Sequence, residues 1–233
     1  MKKLIITLTL LSAAIAAGAQ QFYDTPGIAR GQFYFSFLDH IGWGMAVPQI
    51  RNVDAAIFGS NTTFGKNREF FVNLGTIEYV PVPGASISTG MDLNWSTYRL
   101  NKNYYWDTYN YGTAVTAASI DGVYSKVNKS FLRVFSVDMP IDFNIRLGAF
   151  LVSAGITGEM NFPAIVRFKG VDTSGNKEKW RESGIDSELL TMNLHAMVSW
   201  YGYGLFVRYR PTPQILEESG PYFSTWTFGL YIR

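Results

Sequence analysis

The chain has 233 residues, a formal net charge of +2 and no cysteine. Charged residues make up only 16% of it and aromatic residues also 16%, whereas an ordinary globular domain carries about 25% charged residues. This length fits one or two domains. The small net charge, without a basic cluster in the sequence, argues against a nucleic-acid partner, and the lack of cysteine excludes disulfide bonds.

The N-terminus has the pattern of a secretory signal peptide. Lys2 and Lys3 precede an apolar run, Leu4–Ala17, which ends in an A-x-A cleavage motif at residues 17–19. The run is shorter than the roughly 18 residues that a membrane-spanning helix needs, so an N-terminal anchor is the weaker alternative. We expect residues 1–19 to be cleaved and residues 20–233 to form a single exported domain.

Alternation of apolar and polar residues predicts about eight β-strands in the exported part. Each has roughly the ten residues that cross a bilayer at a tilt near 45°. In chain order the predicted strands are Gly31–Asp39, Arg68–Val80, Ile87–Tyr98, Phe131–Phe143, Gly148–Met160, Thr191–Trp200, Tyr203–Arg210 and Phe223–Ile232.

The connections between these strands alternate in length. Short turns are predicted at Pro81–Gly84, Asn144–Leu147 and Trp200–Gly202. Long polar loops are predicted at Ile41–Asn67, Asn101–Lys129, Asn161–Asp186 and Pro211–Pro221. An up-and-down outer-membrane barrel has short periplasmic turns and long outer loops in this order. The sequence therefore predicts an all-β, antiparallel transmembrane barrel with both termini in the periplasm.

The charged residues fall on one face of the strands. Met192, Leu194 and Val198 belong to an apolar row that we expect to touch lipid, because eight such rows in water would aggregate. Arg133 is an exception on the apolar side. An eight-stranded barrel has room inside only for side chains, so we predict a filled lumen rather than an open pore. Its predicted polar network is Asp92, Asp138, Asp142, Glu159, His195, Arg208 and Arg210.

One predicted outer loop, "NKNYYWDTYNYG", is rich in aromatic residues. Tyrosine and tryptophan supply rigid contact surface for glycans or proteins. The alternative is that these rings extend an interfacial aromatic girdle or pack loop against loop. The candidate binding residues are Tyr104, Tyr105, Trp106, Tyr109 and Tyr111.

The last third of the chain, "YGYGLFVRYRPTPQILEESGPYFSTWTFGLYIR", resembles the PorT-like outer-membrane β-barrel family of Bacteroidota-type bacteria, small eight-stranded barrels of the OmpA/OmpX type. The resemblance is carried by Gly204, Leu216, Gly220–Pro221 and Phe228–Leu230, and by Pro140 in "VDMPIDFNI". The chain departs from it by ending in arginine rather than an aromatic residue. The resemblance implies a barrel in the outer membrane and little chemistry.

Catalytic and metal-binding patterns are weak. His195 is a candidate proton acceptor paired with Asp92 or Asp138, and His40 follows Asp39 and could act with a loop serine. No spacing in the sequence makes them a triad, because triads are recognised by geometry. Two distant histidines without cysteine disfavour a transition-metal site. We therefore expect no cofactor, no metal and no enzyme.

The favoured function is structural or surface-interacting, in the cell outer membrane. The expected partners are outer-membrane lipid and, through the outer loops, an envelope or surface protein or a glycan. Two alternatives stay open: an outer-membrane enzyme acting on lipid, and a soluble lipocalin-like barrel that binds lipid.

Overall fold

The structure, a computed structural model, describes residues 31–50, 66–100 and 103–233. The predicted signal peptide at residues 1–19 lies outside these ranges. No helix among the described residues is long and apolar enough to cross a membrane. The described strands are β1 (Gln32–Ser36), β2 (Ile41–Ile50), β3 (Asn67–Val82), β4 (Ala85–Tyr98), β5 (Tyr104–Tyr109), β6 (Ala114–Ser119), β7 (Tyr124–Leu147), β8 (Phe150–Asn161), β9 (Ala164–Asp172), β10 (Lys177–Ile185), β11 (Leu190–Trp200), β12 (Tyr203–Arg210) and β13 (Phe223–Ile232).

Eight of these strands close into one antiparallel barrel. The order around it is β2-β3-β4-β7-β8-β11-β12-β13, and β13 returns to pair with β2 over its whole length. Closure gives Ile41–Ala46 of β2 and Thr225–Ile232 of β13 partners on both sides, whereas the edge strands of an open sheet would be exposed to other chains. The predicted eight-stranded, up-and-down antiparallel barrel is therefore confirmed.

The first barrel strand lies later in the chain than the predicted Gly31–Asp39. β1 pairs with Thr76–Val80 of β3, and β2 then pairs with Asn67–Val72 of the same strand. The prediction that Ile41–Asn67 is entirely loop is therefore wrong, because residues 41–50 form a barrel strand. Its inward positions are occupied by Gly42, Gly44, Ala46 and Pro48, so the sequence lacked the polar alternation that marked the other strands.

Tight two-residue turns join the barrel strands at one end, here called the turn end. They contain Pro83–Gly84, Gly148–Ala149 and Tyr201–Gly202. Tyr201 and Gly202 both have positive φ, 49° and 83°, the combination of the hairpin turn that follows strand twist. The turn predicted at Asn144–Leu147 was placed too early, since β7 stays paired with β8 as far as Leu147.

The barrel is apolar outside and polar inside. On β11, Met192 and Leu194 are each 46% exposed, whereas Asn193 between them is 0% exposed. The same alternation runs along β7, where Met139, Ile141 and other apolar residues face out. A soluble barrel would show the reverse arrangement, so these rows define a surface suited to an apolar solvent.

Aromatic side chains border this outer apolar surface. Trp95 contacts Phe70 and Phe135 at centroid distances of 5.7 and 5.2 Å, and Phe135 contacts Phe162 at 5.3 Å. From Phe135 to Leu147, at about 3.3 Å per residue and a tilt of about 40°, β7 rises about 30 Å along the barrel axis. This height matches the thickness of a bilayer core.

The end opposite the turns carries a folded cap. β7 continues beyond the barrel and pairs with β9, which pairs with β10, while β5 and β6 form a separate hairpin. The segments predicted as the long loops Asn101–Lys129 and Asn161–Asp186 are therefore largely β-structure in their described part. Their shared core is apolar and includes Tyr98, Trp106, Leu132, Val166, Ile185 and Ile215.

Inward glycines let the strands approach closely, and this can be tested on β8. A Cβ at Gly155 would collide with the Ile141 carbonyl and the Asp142 carboxylate, whereas a Cβ at Gly158 would meet nothing within 4 Å. We expect Gly155→Ala to lower the free energy of unfolding by about 1–3 kcal/mol, as overpacking does. Urea titration of the detergent-solubilised protein measures it.

Gly158→Ala is the matched control on the same strand, and its effect should stay within about 0.5 kcal/mol. Equal losses for the two variants would contradict the close packing at Gly155.

Candidate functional site

Five charged side chains form an ion network in the barrel lumen. Arg208 pairs with Glu69 by a short contact and lies 3.5 Å from Asp138, while Arg210 donates to both carboxylate oxygens of Glu159 at 2.6 and 2.7 Å. Arg210 also lies 3.4 Å from Glu69, which joins the two pairs. None of the five is more than 5% exposed.

The strand pattern explains why these charges meet. Arg208 and Arg210 stand two residues apart on β12, so both point inward. Their carboxylate partners come from the inward faces of three other strands, β3, β7 and β8. The network therefore crosslinks opposite sides of the barrel through side chains.

Neutral polar groups complete the network. Asn94 donates to both Glu69 (3.1 Å) and Asp138 (3.0 Å), and Thr227 donates to Glu69 at 2.5 Å. Asn193 donates to Glu159 at 2.6 Å. Buried charges are tolerated only when they are paired and hydrogen-bonded, and each carboxylate here meets both conditions.

His195 belongs to a second inward cluster. Its Nε2 makes a short contact with Asp142, and its Nδ1 lies 3.1 Å from the Thr157 hydroxyl. The prediction that His195 pairs with Asp92 or Asp138 is wrong. Gly155 stands directly between Asp142 and His195 in the strand register, and its missing side chain lets the two meet.

His40 forms a third cluster near the turn end. Its Nδ1 lies 3.5 Å from Asp39 and its Nε2 lies 3.5 Å from Asp92. Arg233, the last residue, lies 3.0 Å from Asp39 and 3.6 Å from Glu78. Because both ring nitrogens of His40 face carboxylates, neither is directed at a serine hydroxyl as an acyl-transfer triad requires.

The lumen is closed at the cap end. The Tyr98 hydroxyl donates to Gln214 at 2.8 Å, and Gln214 donates to Asn161 at 3.1 Å. Arg210 lies 3.4 Å below the Tyr98 oxygen, so the ion network continues into this roof. Two cavities between the lumen side chains measure about 10 and about 20 Å³, each room for roughly one water molecule.

The five candidate aromatic residues of the outer loop divide into two groups. Trp106 is 0% and Tyr105 is 6% exposed, and Tyr104 packs beside the cap core. These three pack inside the cap, as the loop-against-loop alternative describes, and Tyr105 and Trp106 have almost no surface left for a partner. Tyr109 is 44% exposed and Tyr111 is fully exposed.

The exposed tyrosines stand on a strained turn. Asn110, Tyr111 and Gly112 have φ angles of 50°, 55° and 86°. A left-handed backbone is uncommon for a bulky residue such as tyrosine and costs of order 1–3 kcal/mol. The rest of the hairpin is anchored, since Trp106 donates to Tyr98 through its ring (3.0 Å) and to Ser130 through its backbone (2.8 Å). The anchored hairpin thus presents the Tyr111 side chain to solvent.

Side-chain contacts around Tyr124 also connect β7 with β9, β10 and the β5–β6 hairpin within the cap. The Tyr124 hydroxyl donates to Glu178 at 2.7 Å, and Tyr124 packs on Phe168 and Tyr105. Partial burial and the neighbouring Glu178 carboxylate raise the pKa of Tyr124 to about 12. Tyr124 therefore stays protonated, and it remains a donor, at any physiological pH.

The sequence did not mark every lumen residue. Glu69 accepts hydrogen bonds or ion pairs from both arginines and from Asn94, yet it was not among the predicted network residues. Its strand was hard to orient because Phe71 points inward beside Glu69 and Asn73. Phe71 fills the space over Gly42 and lies 4.7 Å from the Arg208 guanidinium. Alternation in the sequence did not indicate that an inward aromatic residue, Phe71, can replace a polar one where it lies opposite a glycine, Gly42.

Comparison with known proteins adds little to this picture. No protein-family model and no curated protein matches the chain. Among solved structures, it is similar to Ail, the attachment invasion locus protein of Yersinia pestis, in complex with the heparin analogue sucrose octasulfate. The match has a TM-score of 0.38 and 10% identity, and it covers 88% of this chain and 99% of that chain. The fold assignment rests on this chain's own strand pairing, and the PorT-like resemblance stays a prediction.

The ion network predicts a specific stability pattern. Arg210→Met leaves the Glu159 charge buried without its partner and should lower the free energy of unfolding by about 3–5 kcal/mol. Glu159→Gln combined with Arg210→Met removes both charges and keeps the amide–oxygen contacts of Asn193, so the double variant should lose less than the single one. Urea titration in detergent measures both.

Glu159→Gln alone completes the cycle, and a double variant that loses as much stability as the two single variants together would show that the pair is not coupled.

Proposed function

We propose that the chain is an integral outer-membrane barrel whose cap faces the cell exterior and contacts a partner there. The observation that carries the proposal is the continuous apolar outer surface over a charged, filled lumen. An antiparallel barrel pairs all its backbone groups within the sheet, so it can present this surface to hydrocarbon. Short turns then lie in the periplasm and the cap lies outside.

A soluble lipid-binding barrel fits the observations less well. Such a protein needs an apolar cavity inside and a polar surface outside. Here the interior is occupied by Glu69, Asp138, Glu159 and their arginine partners, and the two cavities between the lumen side chains hold roughly one water each. The apolar residues that could line a ligand cavity point the other way.

The surface-interaction role rests on the cap. Its apolar core fixes the β5–β6 hairpin, and the hairpin presents Tyr109 and Tyr111 to solvent. Rigid, exposed tyrosines lose little conformational entropy when they bind, which suits contact with a glycan or a protein. The strain at Tyr111 is consistent with a position kept for display rather than for stability.

Membrane insertion and orientation can be tested with single cysteines, because the chain has none of its own. We expect Ser174→Cys, at the tip of the β9–β10 hairpin, to react with a membrane-impermeant maleimide in intact cells. Ala149→Cys, in a turn at the opposite end, should react only after the outer membrane is permeabilised. Mass-tag gel shift reports the labelled fraction.

Leu194→Cys, on the outer apolar surface, is the internal control and should stay unlabelled until the protein is unfolded. Labelling of Ala149→Cys in intact cells would reverse the orientation, and ready labelling of Leu194→Cys in the folded protein would contradict insertion.

The contact role predicts a separable effect of the exposed tyrosines. Tyr109→Ser with Tyr111→Ser should leave the free energy of unfolding within about 0.5 kcal/mol of wild type, as surface changes do, because serine keeps the Cβ and leaves the backbone strain at position 111 unchanged. The same variant should lose binding of the purified, detergent-solubilised protein to the glycans or extracellular proteins of an array that bind wild type.

Tyr203→Ser, at the turn end and 59% exposed, is the matched control and should retain binding. Unchanged binding of the Tyr109/Tyr111 variant would remove these residues from the contact.

A further inference from the structure

One face of the β7–β9–β10 sheet carries cations in direct register. Residues that are Cα partners in an antiparallel ladder share a face. Arg167 is opposite Arg181, and Lys169 is opposite both Lys179 and Lys129. Arg133 and Lys126 follow on the same face of β7, and Lys177 on β10. This surface, called the basic face, consists of Lys126, Lys129, Arg133, Arg167, Lys169, Lys177, Lys179 and Arg181.

The positive charge of the basic face is not neutralised within the described residues. Its side chains are exposed, and no carboxylate in the described part of the chain lies within ion-pair distance of them. The acids of the same hairpin, Glu178 and Glu182, are opposite Gly170 and Val166 and lie on the other face. Like charges placed directly opposite are destabilising, so binding of an external anion would relieve the repulsion between these cations.

The basic face continues the lipid-facing side of the barrel. Arg133 is two residues from Phe135, the aromatic that contacts Trp95 and Phe162 at the border of the apolar surface. Phe131, next on this face, is only 2% exposed because Lys129 and Arg133 lie over its ring, each at 5.1 Å. The other face of the sheet is covered by the β5–β6 hairpin, where Tyr105 packs on Phe168.

We propose that the basic face binds the phosphate groups of lipid headgroups in the outer leaflet of the surrounding membrane. The inference rests on the proposed membrane insertion with the cap outside. At about 3.3 Å per residue and a tilt of about 40°, Arg133 stands about 5 Å and Lys129 about 15 Å above the aromatic border. That is the depth of the interfacial headgroup region and the layer just beyond it.

A lipid-bound phosphate suits this geometry better than a soluble polyanion. The face points sideways from the barrel, in the direction of the neighbouring lipids, rather than away from the cell. Arginine binds phosphate through paired N–H donors, and lysine through its point charge. Several phosphates in the membrane plane can bridge the opposed cations of neighbouring strands at once, and each cation near an anionic surface changes affinity by about five-fold.

The test compares the wild type with Arg167→Gln/Lys169→Gln/Arg181→Gln in phosphatidylcholine nanodiscs, with and without lipid A, a phosphorylated glucosamine lipid. The readout is the temperature at which the compact band on an unheated SDS gel is lost. We expect lipid A to raise this temperature for wild type, less so at high salt. The triple variant should lose most of that shift and, without lipid A, should be at least as stable as wild type because repulsion is removed.

The matched control, Arg167→Lys/Lys169→Arg/Arg181→Lys, keeps every charge and should keep most of the lipid A shift. Three outcomes overturn the proposal: a full shift in the glutamine variant, an equal shift with dephosphorylated lipid A, or a full shift produced by a soluble sulfated oligosaccharide in plain nanodiscs. In each of these the protein has still inserted, whereas failure to insert in any nanodisc overturns the proposed function as well.

Discussion

Closure of the sheet is the constraint on which the rest of this molecule depends. Because β13 pairs with β2 along its length, the barrel strands have neighbours on both sides and the backbone is satisfied without solvent. The side chains are then free to sort by face, apolar outward and polar inward. A narrow closed barrel also forces opposite strands together, so the inward charges of β3, β7, β8 and β12 meet at hydrogen-bond distance. The ion network is a consequence of closure, and it stiffens the closed form in return.

In the cap at one end of the barrel, strand pairing likewise decides which side chains are buried and which are exposed. β7 is long enough to leave the barrel and start a second sheet with β9 and β10, and the β5–β6 hairpin covers the inner side of that sheet. What remains exposed is therefore defined by the strand alternation: exposed tyrosines on a strained turn and a row of cations on the outer side. In the proposed orientation, the cap offers two chemically different surfaces, one facing the surroundings of the cell and one facing the neighbouring lipids.

Much of this architecture could be read from the sequence, because period-two alternation reports which side chains share a face. That reasoning placed Met192 and Leu194 on one side and Arg208 and Arg210 on the other, as the structure has them. It failed where glycine or an aromatic replaced the polar residue, as in β2 and at Phe71. Alternation within one strand also does not predict which residues of different strands lie opposite each other. The His195–Asp142 contact needs the register across Gly155, and the basic face is assembled from the cations of three strands that only the strand register brings together.

If the outer surface of the barrel faces lipid, the protein must reside in the outer membrane. The most direct test is fractionation of cells that express the full chain, followed by SDS gels of heated and unheated samples. We expect recovery in the detergent-solubilised outer membrane, with a compact unheated band that migrates more slowly after boiling, as the barrel unfolds. Recovery as a soluble monomer, with no difference between heated and unheated samples, would contradict it.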